Sequence, residues 1–396
     1  MVSQKEVLDK KFILSYVPEN LYQNIENHEK IFFKGQSLKV PYIIDITHIL
    51  IRKHFQTGFT SFNLESRILR DKYGSKYNYY LDYLCHKKII HMVSNYQSGK
   101  KSRSYLLDDT TLKHLNIIKN RDNVLLKKYR KLYSIDYLRK INYQYIPFDV
   151  MKKLVNYLDR VSIDYEKAQN YILDLNLPEN QKIKNIHSIL SLKEKNIWYN
   201  FDNYGRLHTN FTTLKSDIRD QHLLIDNEQT KEIDIVNSQP IFLSILLSKN
   251  LNEVNKEEYL NFKELVLTGN LYNYISSNFG RKNKKETKKV MYTVLFGTNH
   301  LNKKENKIFN ELFPSIFNFI KKYKKKNGTY KALAYNLQRS ESKFVFSEIC
   351  KEIIHTYPGL PFFTVHDSIT VKKSDYNKVK KIFDVKINQL HSMLEF

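Results

Sequence analysis

The run Phe362-Phe363-Thr364-Val365-His366-Asp367-Ser368-Ile369-Thr370-Val371 constrains this chain more than any other stretch. Two apolar, β-branched segments flank a polar His-Asp-Ser step, which predicts a strand, a tight turn and a second strand. A carboxylate at such a turn stands clear of the sheet, beside a histidine, where it can hold a metal ion. An ordinary hairpin with a polar tip has the same pattern. A second aspartate lies in a similar setting far upstream, in Glu232-Ile233-Asp234-Ile235-Val236, and a lysine-rich helix is expected between them. Two separated carboxylates and a phosphate-binding helix are what two-metal nucleotidyl transfer needs.

The chain has 396 residues and a formal net charge of +24, so it is long enough for two or three domains and a substantial core. Tyrosine (29) and phenylalanine (23) are abundant, whereas glycine (10) and proline (8) are scarce. A large positive surplus interleaved with aromatics fits a polyanion whose bases can stack. An anionic membrane would compete for such a surface. However, no apolar run approaches the roughly 18 residues that span a bilayer, and no signal peptide is evident. Cys85 and Cys350 are the only cysteines, so neither a disulfide framework nor a cysteine-type zinc site is expected. A cytoplasmic, reducing setting follows as the default, and compactness with basic charge points to a phage or mobile element.

Residues 1–36 are mixed and basic, helical in part, and suggest no role. Within 37–112 the spacing predicts three helices: Pro41 to His54, a second capped by Asn63 and ending near Gly74, and a third capped by Ser75 through Tyr79, Tyr80, Tyr83 and Leu84. Two strand-like runs follow, Ile89 to Val93 and Arg103 to Leu107, around the basic loop Gln97 to Lys101. Three helices and a basic hairpin are the pattern of a winged helix, in which the third helix enters a groove and the wing touches phosphate. Lys76, Tyr77, Lys100, Lys101 and Arg103 would be the nucleic-acid contacts. A protein-interaction domain of the same shape is the other reading. Residues 113–200 read as lysine-rich helices, either a thumb-like arm that grips duplex or a plain connector.

Composition shifts near residue 201. Asp202-Asn203-Tyr204-Gly205-Arg206 is a turn that presents Arg206. Arg219 is a second candidate for phosphate contact, or a solvated surface residue. In 232–247 a short strand carries Asp234, and Asn237-Ser238-Gln239-Pro240 ends it and opens an apolar helix from Ile241 to Leu247. In 281–297, positions 284, 288, 292 and 296 fall near one helical face. They bear Lys284, Lys288, Tyr292 and Phe296, with Gly297 next. The cations suit a triphosphate and the aromatics a base and sugar; a solvated lysine-rich helix with a packed aromatic end is the plainer reading.

Together these stretches resemble the single-subunit (phage- and mitochondrial-type) RNA polymerases and their relatives, the family A DNA polymerases. The resemblance covers roughly residues 200–375. Asp202-x-x-Gly205-Arg206 looks like the family element whose arginine contacts template or primer. Asp234 with Ser238 resembles motif A in its RNA-polymerase spacing. Lys284, Lys288, Phe296 and Gly297, with Val290-Met291, resemble motif B. Gln338 resembles a glutamine that precedes motif C, and His366-Asp367-Ser368 resembles motif C at 362–371.

The resemblance implies an α+β, right-hand polymerase fold with palm and fingers in 201–396 and thumb-like helices in 113–200, behind the winged-helix-like domain. It implies two Mg²⁺ ions, replaceable by Mn²⁺, held by Asp234 and Asp367 with carbonyls such as that of Ile235. Lys288 would contact the triphosphate, assisted by Lys284, and His366 would sit near the primer terminus. Nucleoside triphosphates and a template–primer duplex are the implied partners. Two departures bear on the sugar. Phe296 replaces the tyrosine whose hydroxyl helps RNA polymerases discriminate sugars. Gln239 stands where family A DNA polymerases have a glutamate and RNA polymerases a small residue. A long side chain there should crowd a ribose, tilting preference toward deoxynucleotides. The alternative class is a non-catalytic replication initiator with a polymerase-like core, against which the presence of both aspartates argues. A two-metal phosphodiester hydrolase would leave the lysine-rich helix without a use.

Overall fold

The computed structural model describes residues 11–56, 60–95, 103–132, 134, 146–202, 204–278 and 284–394. It is a mixed α+β structure. Two compact units divide it: Met1–Ile141 with Val161–Tyr199 and Thr209–Asn227, and Asn142–Arg160 with Asn200–His208 and Glu228–Phe396. This division cuts across the linear segments 1–36, 37–112, 113–200 and 201–396, because residues 142–160 and 200–208 pack with the C-terminal stretch. Among the described residues no helix is long and apolar enough to cross a membrane.

In the first unit, helices Val40–Gln56, Ser66–Tyr73 and Tyr77–His86 accompany a three-stranded sheet in the order Phe62–Asn63, Ser104–Leu107, Ile90–Ser94. Ile43, Leu50, Ile51, Leu84, Ile89 and Ile90 are fully buried, so these apolar positions face the core, whereas Ile68 in the second helix and Met92 and Val93 in the strand run are exposed. The expected caps need correction. Asn63 is a strand residue paired with Ser104, and Glu65 holds the N-cap of the second helix without a side-chain bond. Lys76, not Ser75, precedes the third helix. Gly74 does end the second helix, at φ 79°, where a glycine meets no Cβ penalty. The basic loop with Lys100 and Lys101 lies outside the described residues.

Residues 113–200 are not wholly helical. Leu115–Asn120 is a strand, antiparallel to Ile13–Pro18, with Ile117 opposite Tyr16 and Ile118 opposite Ser15. The pairing partner lies about a hundred residues away, so tertiary context decides over the local lysine-rich composition. Val161–Ile163 is a second strand in this stretch, paired with Leu223–Ile225.

In the second unit, strand Glu228–Asp234 pairs antiparallel with Ser368–Lys372, which pairs in turn with Phe362–Val365. The expected hairpin is present, with His366 and Asp367 as its turn. Phe362, Phe363, Ile369 and Val371 are fully buried and pin the sheet to the core. The helix Ser238–Ser248 packs on Lys256–Leu267 and on Ala332–Phe344, and Lys284–Phe296 packs on Lys304–Leu312 and on Ala332–Phe344. Helix Ala332–Phe344 therefore touches both helices that border the aspartate sheet. It continues through a π-helical segment, Val345–Cys350, into Lys351–Thr356.

Candidate active site

Register brings the two aspartates together. Asp234 ends its strand opposite Ser368, and Asp367 immediately precedes Ser368 in the hairpin turn. Adjacent strands lie about 4.8 Å apart, so both carboxylates stand at the same end of the sheet. The backbone is unusual at this edge. His366 has φ 59° and Asn237, at the start of helix Ser238–Ser248, has φ 57°. Non-glycine residues adopt this left-handed conformation at a cost of about 1–3 kcal/mol, and such positions cluster at functional sites. Ser368 Oγ lies within hydrogen-bond distance of two acceptors, the Glu232 carboxylate and the Val365 carbonyl (2.9 Å), and its one proton serves them, which fixes the turn from behind.

A cleft of about 410 Å³ opens at this edge. Asp234, Ile235, Gln239, Lys288, Tyr292 and Asp367 all line it, so six of the residues singled out from sequence meet in one place. Asp367 is pushed up to about 7, first by burial, then by the charges of Glu341 and Asp234, against its own amide and the Arg206 cation. Asp234 keeps access to solvent, but the walls of the cleft remove part of its hydration. That desolvation raises its carboxyl, the Glu232 and Glu341 charges add to it, and the Ile235 amide and Lys288 oppose it. Two carboxylates held at one edge, both raised first by burial and Asp367 also by the Asp234 charge, can serve as a donor set for a hard divalent cation. Among the described residues no group of three or more His, Cys, Asp or Glu is arranged to hold a metal ion.

Helix Lys284–Phe296 supplies the other wall. Lys288 and Tyr292 are exposed, and the Tyr292 and Phe296 rings lie 5.7 Å apart. Lys288 Nζ stands 5.9 Å over the Tyr272 ring. Lys284 opens the helix. At its other end the Gly297 amide donates to the Thr293 carbonyl (3.0 Å), and a Cβ on Gly297 would come 2.7 Å from that oxygen. The buried Lys324 ammonium closes this end by donating to the carbonyls of Val294 (2.6 Å) and Gly297 (2.8 Å). A cation on the last carbonyls of a helix is favourable.

Glu341 was not singled out from sequence, yet it is the hub beneath the cleft. It is 1% exposed and accepts from Arg206 Nη2, Ser238 Oγ (2.7 Å) and Gln239 Nε2. Its one sequence signal is positional: Leu333, Leu337 and Glu341 recur at i, i+4 and i+8, so a lone acid occupies the buried stripe of its helix. Gln338, the residue singled out in this helix, is only partly buried.

Arg206 reaches Glu341 from a tightly built turn. Asp202 Oδ1 accepts from the amides of Tyr204 (2.9 Å) and Arg206 (3.0 Å), and His208 Nε2 meets Asp202 Oδ2 at 2.8 Å. Burial works against the Asp202 charge, but those bonds hold its carboxyl below the usual range. Gly205 sits at φ 86°, and a Cβ there would lie 3.2 Å from Ser342 Cβ and 3.4 Å from the Ile146 side chain. Gly205→Ala should therefore cost about 2 kcal/mol through backbone strain and crowding. Urea unfolding checks this, and a loss below about 0.5 kcal/mol would contradict it.

The remaining candidates lie apart from the cleft lining. The His366 ring is 6.0 Å from that of His208. Arg219 belongs to the first unit, where its Nη1 donates to the Leu214 carbonyl (2.9 Å). Lys76, Tyr77 and Arg103 are also in the first unit, with Arg103 Nη1 donating to Asn78 Oδ1 at 3.3 Å. No protein-family model matches this chain, and no curated protein shows significant similarity to it.

Proposed function

We propose that this chain is a template-directed nucleotidyltransferase of right-hand polymerase plan, similar to the single-subunit RNA polymerases and family A DNA polymerases. The observation that carries the reading is the register of Asp234 against Ser368, which sets Asp234 and Asp367 side by side in one cleft with Lys288. In this reading the aspartate sheet is the palm and helix Lys284–Phe296 belongs to the fingers. Asp234, Asp367 and the Ile235 carbonyl would hold Mg²⁺ or Mn²⁺. Such ions lower the pKa of a primer 3′-OH and neutralise a leaving pyrophosphate.

The chain's own groups do the rest. Lys288, assisted by Lys284, binds the triphosphate and keeps it close to the carboxylates. Tyr292 and Phe296 offer faces to base and sugar. Gln239, held by Glu341, borders the sugar, and Arg206 holds Glu341 in place. His366 stands at the primer terminus. In the first unit the helix Tyr77–His86 and the paired strands Ile90–Ser94 and Ser104–Leu107 would act as a winged helix, contacting duplex through Lys76, Tyr77 and Arg103.

Primer extension with Mg²⁺ tests the function, on DNA and RNA templates, with deoxy- and ribonucleoside triphosphates offered separately. Incorporation is expected. Its absence under every condition, with tight DNA binding intact, would replace this reading with a non-catalytic initiator. Gln239→Gly should raise ribonucleotide use relative to deoxynucleotide use by roughly tenfold, the scale on which pocket shape discriminates. An unchanged sugar ratio would remove Gln239 from that role.

A further inference from the structure

The face of helix Ala332–Phe344 opposite Glu341 is built differently from the acidic cleft. Tyr335, Arg339 and Lys343 recur at i, i+4 and i+8 and form one stripe. The Tyr335 ring stacks on that of Tyr204, with centroids 4.5 Å apart and planes 20° from parallel. The Arg339 guanidinium lies 5.9 Å over the Tyr204 ring. Both tyrosines are only partly buried. The stripe lines a cleft of about 420 Å³, where Asn336 Nδ2 donates to Tyr323 Oη at 2.6 Å.

A second hollow, about 570 Å³, adjoins the first through Thr329, which lines both. Lys321, Lys322 and Lys325 line it, together with Lys324, whose ammonium is committed to the helix carbonyls. No aspartate or glutamate lines either hollow among the described residues. The acidic site and this cationic track thus share helix Ala332–Phe344 and the Asp202–Arg206 turn, on different faces.

We propose that the Tyr204–Tyr335 pair with Arg339 is a stacking shelf for an unpaired base of single-stranded nucleic acid, whose backbone runs on along Lys343, Lys321, Lys322 and Lys325. An aromatic platform beside a line of cations is how sequence-tolerant single-strand sites are made. A stacked tyrosine pair is a flat apolar face, and the guanidinium adds a cation–π edge. That the strand is the template's unpaired overhang rests on the proposed polymerase function; single-strand binding does not.

The full chain, without nucleoside triphosphates, should be titrated into a duplex with a 5′ single-stranded overhang and into the same duplex blunt-ended. DNA and RNA overhangs form separate arms, and 2-aminopurine occupies one unpaired position at a time. The wild type should favour the overhang and quench 2-aminopurine at one position. Tyr335→Ala should weaken overhang binding roughly tenfold, as loss of one base–aromatic stack does, and abolish the quench. Tyr335→Phe should retain both, because it keeps the ring. Replacing Lys321, Lys322 and Lys325 with glutamine should reduce the slope of log affinity against log salt. Unchanged overhang preference and unchanged quench in a folded Tyr335→Ala protein would overturn the proposal. Asp367→Asn separates the two ideas: loss of incorporation there leaves overhang binding intact, whereas a failed shelf leaves incorporation dependent on Asp367.

Discussion

Glu341→Ala is expected to destabilise the protein by about 3–5 kcal/mol, the cost of stranding one partner of a buried ion pair. Glu341 is 1% exposed and the Arg206 side chain 17% exposed, so neither charge is recovered by water once the other is gone. Ser238 Oγ and Gln239 Nε2 lose their acceptor in the same step. One effect opposes this. The Glu341 charge raises the Asp367 carboxyl, so its removal relieves some repulsion. That relief acts through space on a partly solvated group, whereas the loss strands a guanidinium, the buried Ser238 hydroxyl and the partly buried Gln239 amide, so destabilisation prevails. Guanidinium unfolding of Glu341→Ala, Arg206→Met and the double variant measures it. The double variant should recover part of the single-variant loss, because no lone charge remains buried. Simple additivity would contradict the coupling.

Asp367→Asn should have opposite effects on stability and on chemistry. Asp367 has an ordinary value of 3.8 and is pushed up to about 7 in the fold. The folded protein therefore binds this proton more tightly than the unfolded chain does. The stabilisation it brings is complete below 3.8 and is lost as pH rises through about 7. At about pH 8, with metal chelated, the ionised Asp367 bears the cost of its burial and of the Glu341 and Asp234 charges, and Asp367→Asn should be more stable than the wild type by on the order of 2 kcal/mol. The gap should close as pH falls toward about 4. Chelated chemical denaturation at several pH values checks this, and a variant less stable than the wild type at alkaline pH would show that burial and the neighbouring charges do not penalise the ionised Asp367.

What the sequence made legible here is local. The hairpin around Asp367 follows from two β-branched runs about a polar step, and the Asp234 strand and its helix from Ile233 and Pro240, although the strand is Glu228–Asp234 rather than 232–236 and the helix already begins at Ser238. Helix Lys284–Phe296 follows from its spacing, and Gly297 stands where a side chain would meet the Thr293 carbonyl. What stayed hidden depends on distant partners. Glu341 draws its three donors from more than a hundred residues upstream. The strand Leu115–Asn120 exists because Ile13–Pro18 pairs with it. The units interleave because residues 142–160 and 200–208 join chain that comes much later. Tyr204 and Tyr335 are ordinary tyrosines in sequence and become a stacked pair only when the Asp202–Arg206 turn meets helix Ala332–Phe344.

The central claim, that Asp234 and Asp367 together serve nucleotidyl transfer, is tested most directly by single-nucleotide incorporation on a primed template, comparing the wild type with Asp367→Asn over a Mg²⁺ titration. Holding a divalent cation at the reacting oxygens contributes several kcal/mol of transition-state stabilisation, so the variant should lose roughly 10³-fold or more in rate. The account predicts Mg²⁺-dependent incorporation by the wild type and near-total loss in a variant that folds and binds template as before. Incorporation by Asp367→Asn within about tenfold of the wild type, a difference of only about 1.4 kcal/mol in the barrier, would contradict it.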